Sequence, residues 1–508
     1  MMSGHIPILL ILCPFLAAIA VTLAGIFARR LCLPLVLAAL VLSLAAAVAA
    51  LAEVVHSPSG KIHYRVGGWQ PPSGIELVVD PLNAVVLVLV VAVALIAALF
   101  TRHTVNKELA ERGPHFYTLF LLLVTGLLGV TVTGDAFNLY VLLELSSLAA
   151  YAMIALGPGR AALAAFNYVI VGTIGASFYL LGVGYLYIKT GSLNMADIGR
   201  ILGELDLYSS KSVMIAFMLI LIGVWIKMAF FPLHGWLPNA YAYAPSATNC
   251  LIAPLMTKVS VYVMIRTIYT VFTPAYVFVS LNWSGLIMWA AVIAIVAGSL
   301  FAVAQTNLHK LLGYLIIAEV GYMAGGVWLA NVTGLTGAVY HIVSDALMTL
   351  CLFLTAAIVM YKSGSAKLQA MAGMFRRMPL TTACFTTAAL SMIGVPPTCG
   401  FFSKWYLIRG GIEAGHWGFV GALLFSSLVN AFIFFRIIES AFFGGRPRST
   451  VHSDERQDHE QIDEAPAGML VPLVTATASL VIVGLLTADI VAFIELFTNG
   501  TGLINGAG

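Results

Sequence analysis

Charge is scarce in this chain. Asp, Glu, Lys and Arg make up 9% of its 508 residues, against 61% hydrophobic ones. A soluble domain carries roughly 25% charged residues, so this scarcity excludes an ordinary soluble fold. The mean hydropathy of +0.99 points to the bilayer. Cysteine is sparse too: Cys13, Cys32, Cys250, Cys351, Cys384 and Cys399 stand singly, with no CxxC and no Cys/His cluster at ligand spacing. No disulfide, zinc site or iron–sulfur cluster is therefore expected, and no flavin or quinone motif is visible, so the chain is expected to hold no cofactor or metal and to have no redox active site of its own. The net charge of +3 is too small to suggest nucleic acid. The first apolar stretch lacks a basic leader region and is expected to be retained as a span.

What the chain has is apolar runs of about 20 residues, the length of a membrane helix rather than of a barrel strand. The fold class is an all-α, polytopic membrane protein. Splitting the runs at charged, Gly and Pro clusters predicts about fourteen helices, near 4–28, 33–54, 80–101, 114–133, 136–156, 162–189, 212–233, 245–272, 283–305, 309–330, 335–361, 379–411, 416–443 and 467–495. Residues 57–80 read as an external hairpin. Residues 191–211 read as a short interfacial helix resting on Leu193, Ile198, Ile201, Leu202 and Leu205, and 444–468 as a solvated loop. Loops after odd-numbered helices hold Arg29, Arg30, Arg102, Lys107, Arg112, Arg160, Lys362, Lys367, Arg376, Arg377, Arg446, Arg448 and Arg456. Those after even-numbered helices hold mainly Lys61, Arg65, Lys189, Arg200, Lys211 and Arg409. The richer set is expected in the cytoplasm, with both termini outside.

Seven ionisable groups remain at membrane depth: Glu144, Lys227, Lys258, Glu319, His341, Asp345 and Lys404. Each unpaired charge at the centre of a span costs at least ~2.5 kcal/mol, so such groups need partners, water or a function. Glu144 and Lys227 can share the cost of desolvation if their helices pack together. A static pair needs two charges, whereas a relay needs a series. Lys258 falls one turn after Pro254 in APLMTKVSVYVMIR, where the ring loosens the helix. KMAFFPLHGWLP (227–238) and GVPPTCGFFSK (394–404) place Pro232 and Pro238, and Pro396 and Pro397, inside apolar runs, which predicts two helices broken at membrane depth. The prolines are expected to admit water, with a lysine at each break. His341 and Asp345 are four apart, therefore on one face, where the carboxylate would favour a charged imidazole. Lys310 and Glu319 lie within the tenth helix. For His234 two readings stay open: it pins the break or it carries protons.

Residues 227–266, KMAFFPLHGWLPNAYAYAPSATNCLIAPLMTKVSVYVMIR, resemble a signature of the antiporter-like subunits shared by Mrp sodium/proton antiporters (the D-type subunit above all), respiratory complex I and energy-converting membrane-bound hydrogenases. GDAFNLYVLLELSSLAAYAMIALG, LHKLLGYLIIAEVGY and GVPPTCGFFSKWYLI are similar to three further motifs, in the family's order. The resemblance implies two inverted five-helix repeats, helices 4–8 (111–275) and 9–13 (276–445), between an N-terminal part (1–110) and a loop with the last helix (446–508). It also implies discontinuous helices 7 and 12. A proton relay of Glu144, Lys227, Lys258, His341 and Lys404 would run along the membrane midplane, with His234, Lys310, Glu319 and Asp345 as secondary members. The partners implied are other membrane subunits, including related antiporter-like ones, and a peripheral redox arm in the redox-linked branches. The cargo implied is protons, with sodium in the Mrp branch, and the location a bacterial or archaeal cytoplasmic membrane. One stretch departs from the family. Where members often read HALxKAxLF, this chain has DALMTLCLF, with Asp345 for the histidine and Thr349 for the lysine, and Glu319 is also unusual. A modified proton wire and a cation site are both consistent with these acids.

Overall fold

The computed structural model describes residues 3–57, 60–444, 463–501 and 503. Most of the predicted 444–468 loop, with Arg446, Arg448 and Arg456, lies outside the described residues. Twelve helices among them are long and apolar enough to cross a membrane. In chain order the helices are α1 (Ile6–Phe27), α2 (Cys32–His56), α3 (Pro81–Glu108), α4 (Gly113–Val132), α5 (Ala136–Ala155), α6 (Ala161–Thr190), α7 (Met195–Glu204), α8 (Lys211–Lys227), α9 (Leu237–Tyr243), α10 (Ser246–Arg266), α11 (Ser284–Val303), α12 (Leu308–Trp328) and α13 (Val332–Ser363). After them come α14 (Met374–Arg377), α15 (Pro379–Ile393), α16 (Cys399–Glu413), α17 (Trp417–Phe443), α18 (Ala467–Leu485) and α19 (Thr487–Thr498).

The seventh and twelfth predicted spans are interrupted, as expected. α8 and α9 make up one of them, α15 and α16 the other, and no segment exceeds 17 residues. The predicted last helix bends into α18 and α19 at Leu486. The predicted hairpin is present: β1 (Ile62–Arg65) pairs antiparallel with β2 (Glu76–Val79), Ile62 opposite Val79. The short helix expected within 191–211 is α7. It buries Ile198 and Leu202, half-buries Ile201 and leaves Leu205 exposed, because the helix ends at Glu204 before Leu205 can join the buried face.

Helix ends follow local chemistry. Asp80 caps α3 by accepting from the Leu82 and Asn83 amides, with Pro81 beginning the helix. Asp135, Asn307 and Asn331 cap α5, α12 and α13 in the same manner. Packing inside a bilayer gains little from apolar burial, since lipid is equally apolar, and relies on close approach. Gly223 of α8 lies against α6, where an added Cβ would come within 2.6 Å of the Gly175 carbonyl oxygen. The most enclosed spans are α10, α12 and α13, whose apolar windows are 94%, 94% and 100% buried, against 28% for α1.

One turn occurs twice. After α6 the chain passes left-handed Gly191 (φ +68°), then pairs with the start of α5: Ala136 N donates to Leu193 O and Met195 N to Gly134 O, both at 2.8 Å. After α13 it passes left-handed Gly364 (φ +69°), then pairs with the start of α12: Leu308 N donates to Ala366 O at 2.8 Å and Leu368 N to Thr306 O at 2.9 Å. The first turn touches the hairpin, Gly134 N donating to Glu76 O. The chain crosses an odd number of times between the two turns, so the second lies at the end away from the hairpin.

Candidate functional site: a buried row of charges

α8 ends at Lys227, and Ala229 just beyond adopts left-handed φ +58°. The break thus begins four residues before Pro232 and runs through 228–236. Pro232 is exposed within it, while Pro238 is buried in the first turn of α9 and starts that segment rather than opening the gap. Lys227 Nζ donates to Glu144 Oε1 of α5 at 2.7 Å and to Ser147 Oγ at 2.9 Å. The Glu144 side chain is 20% exposed and Lys227 5%, so the pair is reachable from the carboxylate side.

Lys258 sits within the continuous α10, one turn past Pro254, and forms an ion pair with Asp345, Nζ lying 2.8 Å from Oδ2. It also reaches Ala253 O beside the proline at 3.3 Å and Thr349 Oγ1 at 3.4 Å, while Thr349 donates to Asp345 Oδ1 at 3.0 Å. The two residues that depart from the family pattern therefore form one closed unit with the lysine.

His341 has a different acid from the one its spacing predicted. Its Nε2 lies 2.7 Å from Glu319 Oε2 of α12, and its Nδ1 lies 2.9 Å from Ser403 Oγ of α16. Four-residue spacing does put His341 and Asp345 along one side of α13. The helix is enclosed by several neighbours, however, and Asp345 turns to α10 while His341 turns to α12 and α16. His341 and Glu319 are both fully buried.

The second break spans 394–398, with Gly394 at φ +98° and Pro396 and Pro397 exposed. Lys404, on α16 beyond the break, reaches back to Met392 O at the end of α15 (2.6 Å), a carbonyl near the negative end of that helix dipole. It also bonds Ser427 Oγ of α17 at 3.2 Å and lies 5.1 Å from the Tyr322 ring. Lys404 has no salt-bridge partner among the described residues.

His234 stacks on Phe231 with ring centroids 5.0 Å apart, and Lys310 is half-buried in the first turn of α12. Sequence reasoning misses the neighbouring His309, which is 4% exposed and stacks on Phe353. It also misses Gly175 and Gly223, whose signal is small residues at a helix crossing, and the Asp80–Arg266 pair. Arg266 donates to Asp80 Oδ1 at 2.5 Å and to the Tyr262 hydroxyl at 2.8 Å. Burial works against ionisation of Asp80, but the charge and hydrogen bond of Arg266 outweigh it and hold the carboxyl below the ordinary value. Both residues line a cavity of about 730 Å³ at the hairpin end, together with Glu76, Asn194 and Tyr262. A second cavity at that end, about 400 Å³, is bordered by Thr336, Tyr406, Arg409 and Glu495. Among the described residues no group of three or more His, Cys, Asp or Glu side chains converges as a metal site would.

Residues 133–430 match the family described as NADH:quinone oxidoreductase/Mrp antiporter, TM. NADH-quinone oxidoreductase subunit N of Desulforudis audaxviator (strain MP104C) is 44% identical over 495 residues, covering 97% of this chain and 98% of its own. The D-type subunit of the Na(+)/H(+) antiporter of Bacillus subtilis (strain 168) is 31% identical over 380 residues, covering 75% and 76%. A chain of the membrane-bound sulfane sulfur reductase, an archaeal respiratory membrane complex, superposes with a TM-score of 0.88 at 28% identity over 98% of both chains. A chain of the Mrp complex from Dietzia sp. DQ12-45-1b shares the fold, with a TM-score of 0.84 at 23% identity over the whole of both. This multi-pass membrane chain, with its two broken helices and buried charges, belongs to the NADH:quinone oxidoreductase/Mrp antiporter transmembrane family.

Proposed function

We propose that the chain is a proton-translocating subunit of a multi-subunit membrane complex and that Glu144, Lys227, Lys258, His341 and Lys404 carry the proton, with Glu319 and Asp345 as their acidic partners. One observation carries this reading. Between the two broken helices, every buried base of this set faces a carboxylate or, for Lys404, a carbonyl next to a helix break, at 2.6 to 2.8 Å. Protons enter beside α9 and α10, load on Lys227 and Lys258, pass His341 and leave by Lys404. Glu144 is the switch. When it leaves Lys227, an unpaired ammonium stands in a medium of low dielectric, and its proton moves to the next acceptor.

The helix ends and connections away from the hairpin hold Arg29, Arg30, Lys107, Arg112, Arg160, Lys362, Lys367, Arg376 and Arg377. This bias supports a cytoplasmic location for that end and an outward location for both termini. We assign residues 111–275 and 276–445 to two inverted repeats, a division supported by the twin turns after α6 and α13 and by the packing of α4 on α5 and α11 on α12. The names of the relatives are those of subunits, which supports assembly with other membrane subunits, related antiporter-like chains among them. Redox chemistry then belongs to partners.

Sodium as a second cargo is favoured by one detail: Glu319 Oε1 is buried without a hydrogen-bond partner among the described residues, and hard cations take oxygen ligands. Ion-transport assays on the complex with and without sodium decide between the cargoes. The principal test is Lys227→Ala in the assembled complex, which should abolish transport. Retained transport at normal assembly would overturn the relay.

A further inference from the structure

Of the polar atoms buried without a hydrogen-bond partner among the described residues, four lie along one run in the half of the molecule away from the hairpin: Tyr168 Oη, Tyr241 Oη, Asn249 Oδ1 and His309 Nε2. Their residues are 1%, 1%, 0% and 4% exposed. Each such atom costs about 1 to 3 kcal/mol if left dry, and internal water relieves that cost where several polar groups meet. These four residues belong to one chain of contacts. Tyr168 stacks on Trp236 at 3.7 Å, Trp236 meets Tyr241 at 6.5 Å, and Phe353 lies between Tyr241 and His309, 5.9 Å from each. Asn249 is tied in by its amide, which donates to Tyr241 O at 2.7 Å. On α13, Phe353, Thr349 and Asp345 follow at intervals of four residues, about 6 Å per step.

We infer that His309 is the loading group of the proton uptake path and hands protons through bound water held by Tyr241 and Asn249 to the Thr349–Asp345–Lys258 unit. The inference rests on the relay proposed above. The imidazolium gives its Nε2 proton to a water, which passes one of its own to the Asp345 carboxylate or to a deprotonated Lys258 amine, and the imidazole then takes the next proton from the adjacent cytoplasmic surface. His309 suits this position because it lies in the first turn of α12, just inside the membrane end, and its free Nε2 can take up and give back a proton. The titratable groups on the elements around it are Lys310 beside it, Tyr241 and Tyr243 on α9, Cys250 on α10, Tyr361 and Lys362 on α13, Lys367 opposite Asn307, and Glu108, which accepts from Ser246 N.

The test uses the assembled complex in sealed vesicles with His309→Gln, which bonds but does not titrate near neutrality, and His309→Lys, which keeps an ionisable group. The glutamine variant should transport at least about tenfold more slowly and lose the imidazole inflection from its pH–rate profile, while the lysine variant recovers part of the rate with its profile displaced to higher pH. A glutamine variant with wild-type rate and profile overturns the role. So does an equal loss in both variants with an unchanged profile, the mark of a packing residue. If the glutamine variant fails to assemble, an infrared pH titration of histidine-labelled wild type against His309→Lys decides: a titrating band present only in wild type supports the role, and its absence overturns it. Lys227→Ala measured in parallel separates the two levels. Transport lost there but intact in His309→Gln removes His309 alone, and transport intact in both removes the relay.

Discussion

Asp345 of α13 and Lys258 of α10 form an ion pair of 2.8 Å whose side chains are 0% and 1% exposed. Neither side chain reaches bulk solvent, so removing one strands the other. Asp345→Ala should destabilise the protein by about 3 to 5 kcal/mol, whereas replacing both residues with well-packed apolar ones should cost far less. Thermal unfolding of the purified complex checks the stabilities. Transport should be lost in the single and the double variant alike, which separates the fold's need for neutrality from the relay's need for charge.

Glu144 is the more exposed partner of its pair, and Lys227 keeps Ser147 as a second acceptor. Glu144→Gln is therefore expected to leave assembly intact and to slow transport at least about tenfold. Subunit content and ion flux measured on the same vesicles give the answer.

Lys404 bonds a carbonyl and a hydroxyl rather than an acid. An arginine keeps a positive charge near Met392 O, yet a guanidinium does not release its proton. Lys404→Arg should preserve thermal stability within about 1 kcal/mol, as expected for a substitution that keeps the charge, and stop transport. Normal flux in that variant would exclude proton release at this position.

The approach of α6 to α8 is set by Gly175 and Gly223, one turn before Lys227. Gly223→Val would drive a branched side chain into the α6 backbone, and overpacking of this type costs about 1 to 3 kcal/mol. The expected result is lower thermal stability together with slower transport, since Lys227 loses its alignment with Glu144. Gly203→Ala, at a glycine with open space around it, is the control and should change neither.

The pH dependence at the hairpin end follows from Asp80. Its folded pKa lies below the ordinary value, so the stability it contributes is present above the unfolded pKa of about 4 and is lost as pH falls through the folded one. The stability difference between wild type and Asp80→Asn should be constant at neutral pH and shrink only below about pH 4, as read from unfolding midpoints across a pH series.

The membrane class, the interrupted helices and the buried ionisable residues are legible in the sequence because each breaks a strong rule: long apolar runs admit few charges and few prolines. Partner choice is not legible. Spacing puts His341 and Asp345 on one side of α13, but their partners are decided by which neighbour each side chain meets. Lys310 draws attention by its charge, although His309 is the buried residue of the two. The extent of the first break is hidden for a similar reason. Pro232 marks it in the sequence, while the helix stops at Lys227 and Pro238 begins the next segment.

Every residue in the apolar window of α13 is enclosed by protein, and its neighbours include α3, α10 and α12, made earlier, and α15, α16 and α18, made later. During synthesis this segment leaves the ribosome before half of its wall exists. Its acid and imidazole must then be sheltered by the insertion machinery or by the first half of the chain until the last spans arrive. The enclosure of α13 is therefore completed only by α18 and α19, and a polypeptide cut short before them would present its most enclosed span, with that acid and imidazole, to lipid.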